Sequence, residues 1–388
     1  MGIAVIAQGG GPTPVVNASL TAAVRQARDY SGFKGFWGAV HGFRGILEEQ
    51  FIDLFAQSLG TMEQIRVAPS AALGSSRDRL SQSDLERVVA AFRHHDVRYF
   101  FHIGGNGSMG TLMDLDRTAQ QMGYDLQVIG IPKTVDNDLY GTDHTPGYGS
   151  AARFYAHAIR DMGMDHRALP SPILICEVIG RNVGWLAAAT AFARAYEDDA
   201  PHLIYFPEQP LPRQKLFTDI ETAYKRWGRV FVVMCEGQLD EHGEAFGADV
   251  DRPENPQYRL ASNLAHAVSR LVMQQLNLRA RSERPSLLAR CCSALVSETD
   301  RDEAELAGRA AVLAAAAGQS GVMVAFRREE GTEYRCDTVL VPLNEVARRE
   351  RKLPDEFRDD ASANIKPAYV NYARPLIGSV PGHARFLR

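Results

Sequence analysis

The sequence predicts an α/β protein built of two interleaved Rossmann-like α/β domains with mainly parallel sheets. Three observations carry that prediction. Short apolar runs alternate with helix-patterned stretches through residue 140, the order that winds a parallel sheet. Two of those runs empty into glycine-rich loops that a helical pattern follows at once. And 388 residues are too many for one ordinary core.

Residues 3–7 are a five-residue apolar run and read as a buried strand. Gly9-Gly10-Gly11-Pro12 then turns the chain, and Asn17 opens a helix. Such a turn lets backbone N–H groups meet an anion, although a plain tight turn reads the same way, and the spacing is neither a Walker A loop nor a dinucleotide fingerprint. Phe36–Val40 is the next strand candidate, and residues 72–77 form a polar glycine loop carrying one cation, Arg77. Residues 83–94 are helical by pattern, with Leu85, Val88, Val89 and Phe92 on one face. Residues 98–103 form a strand that runs into Gly104-Gly105-Asn106-Gly107-Ser108, with a helix behind, and residues 124–131 form another strand. In a doubly wound sheet ligands bind beyond the strand C-termini, so all these polar loops belong on one edge.

Further along, residues 150–162 are a helix candidate, and the strand 173–178 ends in Ile179-Gly180-Arg181. A strand at 230–234 ends in Glu236-Gly237. Residues 238–258 are rich in glycine, proline and charge and read as an exposed loop. Residues 263–275 are helical, and Arg279, Arg281, Arg284 and Arg290 crowd the segment that follows, whose bland reading is a solvated charge run. Residues 297–317 form a helix whose early acids, Glu298, Asp300, Asp302 and Glu303, suit its dipole. A strand at 320–326 and a polar tail after Glu345 complete the chain.

Composition narrows the function. A net charge of −4 carries no footprint for nucleic acid or for a lipid surface. No apolar run is long enough to span a bilayer, and the first residues lack the basic and apolar regions of a signal peptide. Five cysteines without a C-x-x-C spacing argue against structural zinc and a disulfide framework and fit a reducing cytoplasm.

The chemistry converges on residues 128–138, where an apolar run ends in Pro132-Lys133-Thr134-Val135-Asp136-Asn137-Asp138. An ammonium, a hydroxyl and two carboxylates within six residues are what phosphoryl transfer requires. A polar turn with an Asx cap is the alternative reading of these residues taken alone.

Taken with Gly10-Gly11-Pro12-Thr13, Gly74-Ser75-Ser76-Arg77, Gly104–Ser108, Thr145–Ala152, Glu177–Trp185, Glu236-Gly237 and Leu353–Phe357, this stretch resembles the phosphofructokinase family, and its pyrophosphate-dependent branch in particular. The resemblance spans essentially the whole chain. It implies a donor-binding domain over 1–145, a sugar-phosphate domain over 146–310, a C-terminal segment 311–388 packing back across both, and an active site in the cleft between the domains. It makes Asp136 the base for the sugar 1-hydroxyl, with Thr134 on the moving phosphoryl group or the sugar and Arg77 offsetting charge. Gly11, Lys133, Gly105, Asn106, Gly107 and Ser108 become donor-binding residues. Asp138 and Asn106 become the residues holding Mg²⁺. Ile179, Gly180, Arg181, Glu236, Arg281 and Arg290, with Thr134 and Asp138, become the sugar-phosphate site.

Lys133 and Asn106 resemble the pyrophosphate branch, whereas Gly107 replaces an aspartate that fills the space of a nucleotide α-phosphate. Pyrophosphate is therefore the expected donor, with ATP as the alternative. The acceptor segment departs further, with Leu287 and Ala289 where the family has hydrogen-bonding side chains. Fructose 6-phosphate is the expected acceptor, and sedoheptulose 7-phosphate or another sugar phosphate the alternative. A non-catalytic sugar-phosphate-binding relative is the remaining reading. A cytoplasmic homodimer or homotetramer follows from the same resemblance.

Overall fold

The computed structural model describes residues 2–77, 79–248, 263–329, 331 and 333–386. In chain order the elements are β1 (Gly2–Gln8), α1 (Val16–Arg28), β2 (Phe33–Ala39), α2 (Phe43–Leu47), β3 (Phe51–Asp53), α3 (Leu59–Val67), α4 (Gln82–His94), β4 (Val97–Gly104), α5 (Asn106–Gln121), β5 (Gln127–Pro132) and α6 (Tyr148–Ala168). There follow β6 (Ile173–Val178), α7 (Trp185–Ala189), β7 (Leu203–Ile204), α8 (Arg213–Trp227), β8 (Val230–Cys235), α9 (Leu264–Leu276) and β9 (Ala280–Glu283). The chain closes with α10 (Glu298–Ala316), β10 (Val322–Arg328), β11 (Cys336–Pro342), α11 (Leu343–Val346), β12 (Arg358–Asp359), β13 (Asn364–Ile365) and α12 (Pro367–Ile377).

These elements make two compact units. The first holds Met1–Ser150 and Arg290–Arg351, and the second Ala151–Ala289 and Lys352–Arg388. The sequence expectation assigns 146–310 to one domain. Residues 290–310 pack instead in the first unit, because α10 lies along α1 there.

The first unit is a seven-stranded sheet in the order β11-β10-β5-β4-β1-β2-β3. Its five middle strands run parallel, and the two edge strands, β3 and β11, are antiparallel to their neighbours. Both faces are covered, which is why the inner strands read as continuous apolar runs. Alternate residues feed alternate faces. Val5, Ala7, Phe100 and Val128 belong to a core with α2, α4 and α5, while Ala4, Ile6, Phe101 and Ile129 belong to one with α1 and α10. The second unit has a four-stranded parallel sheet, β7-β8-β6-β9, with Leu216, Ile220, Val268 and Val272 of α8 and α9 in its core.

Two sequence expectations are corrected here. The tail after Glu345 is not simply polar, since α12 buries Tyr369, Tyr372, Ala373, Leu376 and Ile377 along one stripe. In the loop expected at 238–258, Phe246 is fully buried and packs in the second unit's core, and residues 249–258 lie outside the described residues.

Helices α1 and α10 cross tightly at Gly308. A Cβ there would fall 2.2 Å from the Ser19 carbonyl oxygen and 3.1 Å from the Ala23 nitrogen, both backbone atoms of α1. Gly308→Ala is expected to destabilise the protein by about 1–3 kcal/mol, the range for overpacking a tight contact. Urea denaturation measures this, and an unchanged midpoint would show that α10 can slide without loss.

Candidate active site

The C-terminal ends of β1, β4 and β5 are neighbours in the sheet, so the loops leaving them start side by side. β5 ends at Pro132, which has no N–H to offer, and Lys133 N–H makes one more bond to the Gly104 carbonyl at 3.0 Å. From there the chain alternates. Lys133, Val135, Asn137 and Leu139 are buried, whereas Thr134, Asp136 and Asp138 are only partly covered. The chain bends at Val135 and Asp136, and the Thr134 hydroxyl, which meets both the Asp136 N–H and the Asp138 carboxyl, gathers the hydroxyl and the two carboxylates. The turn is locked from beneath. Asn137 is buried in the left-handed region at φ 58°, and its Oδ1 accepts the Thr145 N–H at 3.0 Å. The Thr134 hydroxyl accepts the Asp136 N–H at 3.1 Å, and the Thr145 hydroxyl donates to the Thr134 carbonyl at 2.9 Å.

Lys133 is 3% exposed, and its ammonium donates to the carbonyls of Gly9 at 2.6 Å and Gly11 at 2.7 Å. It thus shapes the glycine loop as well as charging it. Burial pulls its pKa down from 10.5 to about 8; Asp136 and Asp138 oppose the drop, and Arg77 and Arg290 add to it. The loop has little room for side chains. A Cβ at Gly9 would lie 2.3 Å from His102 Nε2, and one at Gly11 would lie 2.8 Å from Arg290 Nη1 and 3.1 Å from Arg77 Nη2. Two guanidiniums and an ammonium therefore converge on one stretch of backbone, an arrangement that suits a small, highly charged anion. His102 beneath it is neutral, since burial pushes its pKa to about 3, and its ring stacks on Phe43.

Arg77 reaches this place because residues 68–76 are tied to β1 and α1. Gln8 Oε1 accepts the Leu73 N–H at 2.9 Å, and Asn17 Oδ1 accepts the Ala72 N–H at 2.9 Å. Asn17 also donates to the carbonyls of Ala68 and Ser70, and the Ser75 hydroxyl donates to the Gly10 carbonyl at 2.6 Å. Gln8 is a site-building residue that sequence reading missed. A lone glutamine at the end of an apolar strand was the only signal for it.

Beyond β4, Gly105 caps α5, a 16-residue helix with no acid in its first turn. Its N-terminal N–H groups and dipole favour an anion, and Ser108 stands in that turn. Gly107 is exposed, and a Cβ there would meet nothing within 4 Å. Asn106 is engaged elsewhere: its amide donates to the Arg349 carbonyl at 2.7 Å, and its oxygen accepts the Arg348 N–H at 3.1 Å. Asp138 is better suited to a cation. Its Oδ1 is buried with no hydrogen-bond partner, and burial, with Glu350 nearby, pushes its carboxyl above the usual range. An unpartnered, desolvated carboxylate oxygen beside an anion site fits a hard cation such as Mg²⁺.

In the second unit, the ends of β6 and β8 meet. Glu236 N–H donates to the Val178 carbonyl at 3.1 Å and Gly237 N–H to the Gly180 carbonyl at 3.2 Å, which brings Ile179, Gly180 and Arg181 beside Glu236. Arg281 lies elsewhere in that unit. It pairs with Leu174 near the start of β6, on the order of 15 Å of strand rise from Ile179. There it lines a cavity of about 350 Å³ with Asp161, Asp165, His166 and Glu283. Arg290, expected to share a sugar phosphate with Arg281, re-enters the first unit after the short turn Ser286–Arg290 and stands beside Arg77. Their nine-residue spacing does not bring them to one point of one unit.

Donor affinity is expected to fall as pH rises through about 8, where the buried Lys133 loses its proton. Stability moves the other way. The folded pKa lies below the unfolded one, so the native state binds fewer protons between about pH 8 and 10.5 and gains stability as pH rises across that window. Phosphoryl-donor KM measured from pH 6.5 to 9.5 tests this, and a flat profile that matches Lys133→Met would sink it.

The chain is similar to known proteins over nearly its whole length. The family model for phosphofructokinase matches residues 3–315. A pyrophosphate--fructose 6-phosphate 1-phosphotransferase of Rhodospirillum rubrum is 37% identical over 97% of this chain and 94% of its own length. A sulfofructose kinase of Alkalicoccus urumqiensis is 33% identical over 92% of each chain. The crystal structure of a pyrophosphate-dependent phosphofructokinase from Nitrosospira multiformis superposes with a TM-score of 0.88 at 31% identity, covering 99% of this chain and 94% of that one.

Proposed function

This chain belongs to the phosphofructokinase family, and on that premise we propose that it moves a phosphoryl group from pyrophosphate to the 1-hydroxyl of fructose 6-phosphate. The observation that carries the reading is the grouping of Thr134, Asp136 and Asp138 in one locked loop beside the cations Lys133, Arg77 and Arg290.

In this reading the glycine loop and the α5 N-terminus hold the donor, with Gly11, Gly105 and Ser108 offering backbone or hydroxyl contacts. Lys133 supplies fixed charge, which suits an inorganic donor that has no nucleoside to anchor it. Asp136 takes the proton of the attacking hydroxyl, Thr134 orients the moving group, and Arg77 with Arg290 stabilises charge on it. Asp138 would hold Mg²⁺, which would supply charge neutralisation for the phosphate oxygens, and Asn106 would contribute only by leaving the backbone of residues 348–349. Glu236, Arg181, Gly180 and Ile179 hold the sugar. The place of Arg281, away from those residues on its own sheet, supports a homo-oligomer in which this side chain serves a second copy. A cytoplasmic homodimer or homotetramer is part of the same proposal. Among the described residues, no helix is long and apolar enough to cross a membrane.

The open space at Gly107 favours a second donor. A nucleotide α-phosphate finds no side chain there, so ATP use at a lower rate is the alternative. A panel of pyrophosphate and ATP against fructose 6-phosphate and sedoheptulose 7-phosphate, with Mg²⁺, separates the readings. Pyrophosphate with fructose 6-phosphate is expected to give the highest kcat/KM. Turnover with ATP alone would overturn the donor assignment, and no turnover with any pair would favour a binding relative. Asp136→Asn is expected to lower kcat by at least about 10²-fold with an unchanged fold, the lower end of an acid–base contribution. A near-normal kcat in that variant would remove Asp136 from the role of base.

A further inference from the structure

The loop that carries Thr134, Asp136 and Asp138 continues through residues 139–147 before α6 begins, and this second half is buried and polar. Thr142, His144 and Thr145 are all at most 6% exposed. Loops of this kind survive burial only when each polar group finds a partner. Here the partners come from β10 and α10. The Thr142 hydroxyl donates to the His144 carbonyl and accepts the Phe326 N–H, both at 2.8 Å, while Asp143 N–H donates to the Phe326 carbonyl at 2.9 Å. Asp300 of α10 accepts the N–H groups of Gly147 and Ser150.

His144 sits at the centre. Its ring stacks on Phe326, with centroids 5.0 Å apart. Nε2 meets Glu303 Oε2 of α10 at 2.6 Å, and Nδ1 meets Asp143 Oδ1 at 3.0 Å. A neutral imidazole has one N–H, so two carboxylates at hydrogen-bond distance require the doubly protonated ring. The neighbouring residue, Thr145, is the one whose hydroxyl and N–H hold the Thr134 carbonyl and the Asn137 side chain.

We propose that His144, held between Asp143 and Glu303, is a positioning residue that fixes the phosphoryl-transfer loop through Thr145. It touches neither donor nor acceptor. It acts by keeping Thr145, and through it the backbone of Thr134 and Asn137, in the one arrangement that presents Asp136 and Asp138 together. Nothing in the alternative view of His144 as a plain core histidine calls for a carboxylate at each ring nitrogen, one of them on a separate helix.

The charged and titratable groups around the ring are Asp143 on its own loop, Glu303 and Asp300 on α10, Arg328 on β10 near Asp143, Tyr334 just before β11, and Cys336 on β11. Burial disfavours charge on His144, but Glu303 and Asp143 outweigh it and hold its pKa above the ordinary 6.5. The sign follows. The stabilisation from the protonated ring is complete below about pH 6.5 and is lost as pH rises through the raised value.

The role as stated rests on the proposed reaction, so the test has arms that do not need activity. In ¹⁵N-histidine-labelled protein, one ring with both nitrogens protonated at pH 7 is expected, and it should be absent in His144→Gln. Thermal melting should show wild type more stable than His144→Gln at pH 6, with the difference shrinking at alkaline pH. In steady-state kinetics at saturating donor, His144→Gln and Glu303→Gln should each lower kcat by roughly 10- to 100-fold, the effect of a small misplacement of catalytic groups. Donor and acceptor KM should stay nearly unchanged, and an alkaline fall of kcat is expected in wild type and should be lost or moved in both variants. Should His144→Gln fail to fold, Glu303→Gln, which keeps shape and one hydrogen bond, carries the same arms. A singly protonated His144 at pH 7, or Glu303→Gln with wild-type kcat and pH profile, overturns the proposal. Absence of turnover in wild type would instead count against the proposed reaction, while ring protonation and melting would still decide the state of His144.

Discussion

The site depends on one buried contact, the Lys133 ammonium on the carbonyls of Gly9 and Gly11. A cation this deep normally meets a carboxylate. Here it meets two neutral oxygens, so its charge is solvated without being cancelled. That leaves a positive field just where a strand end and a glycine loop come together, in surroundings where Coulomb interactions are less screened than in water. Arg77 and Arg290 reinforce the field. Asp136 and Asp138 are the charges set against it, in the same loop as Thr134. In the proposed reaction, attraction for polyanions and proton abstraction are thus separated by a short stretch of backbone.

Much of this was legible in the sequence because it rests on local chemistry. Apolar runs ending in glycine loops gave the parallel strands and the sheet edge on which the loops after β1, β4 and β5 gather. Lys133, Thr134, Asp136 and Asp138 stood out because they fall within six residues of the strand end at Pro132. The family resemblance gave the chemistry, and the full-length relatives bear the family out.

What stayed hidden was set by contacts distant in sequence. Gln8 and Asn17 position Arg77 through backbone groups more than 50 residues away. The acids at the start of α10 read as ordinary dipole complements, yet Asp300 and Glu303 accept hydrogen bonds from residues 144–150. Arg281 and Arg290 read as a pair from their spacing, but a strand and a short turn carry them into different units. Spacing predicts neighbours along a regular element, and it says little once the chain changes element between the two residues.

The path of the chain between units bears on how the protein is made. The first unit needs both Met1–Ser150 and Arg290–Arg351. When the ribosome has released the first 150 residues, β5 is still the bare edge of its sheet, because β10, which pairs with it, is almost 200 residues downstream. The apolar face of α1 that α10 will cover is open over the same interval. At roughly 5–20 residues per second that wait lasts on the order of ten seconds or more, during which an unpaired central strand and an uncovered helix are exposed to other chains. The nascent chain therefore passes through a stage at which a holdase chaperone has an obvious place to sit. The half-sheet is a hazard of the interleaved topology itself, present however stable the finished protein is.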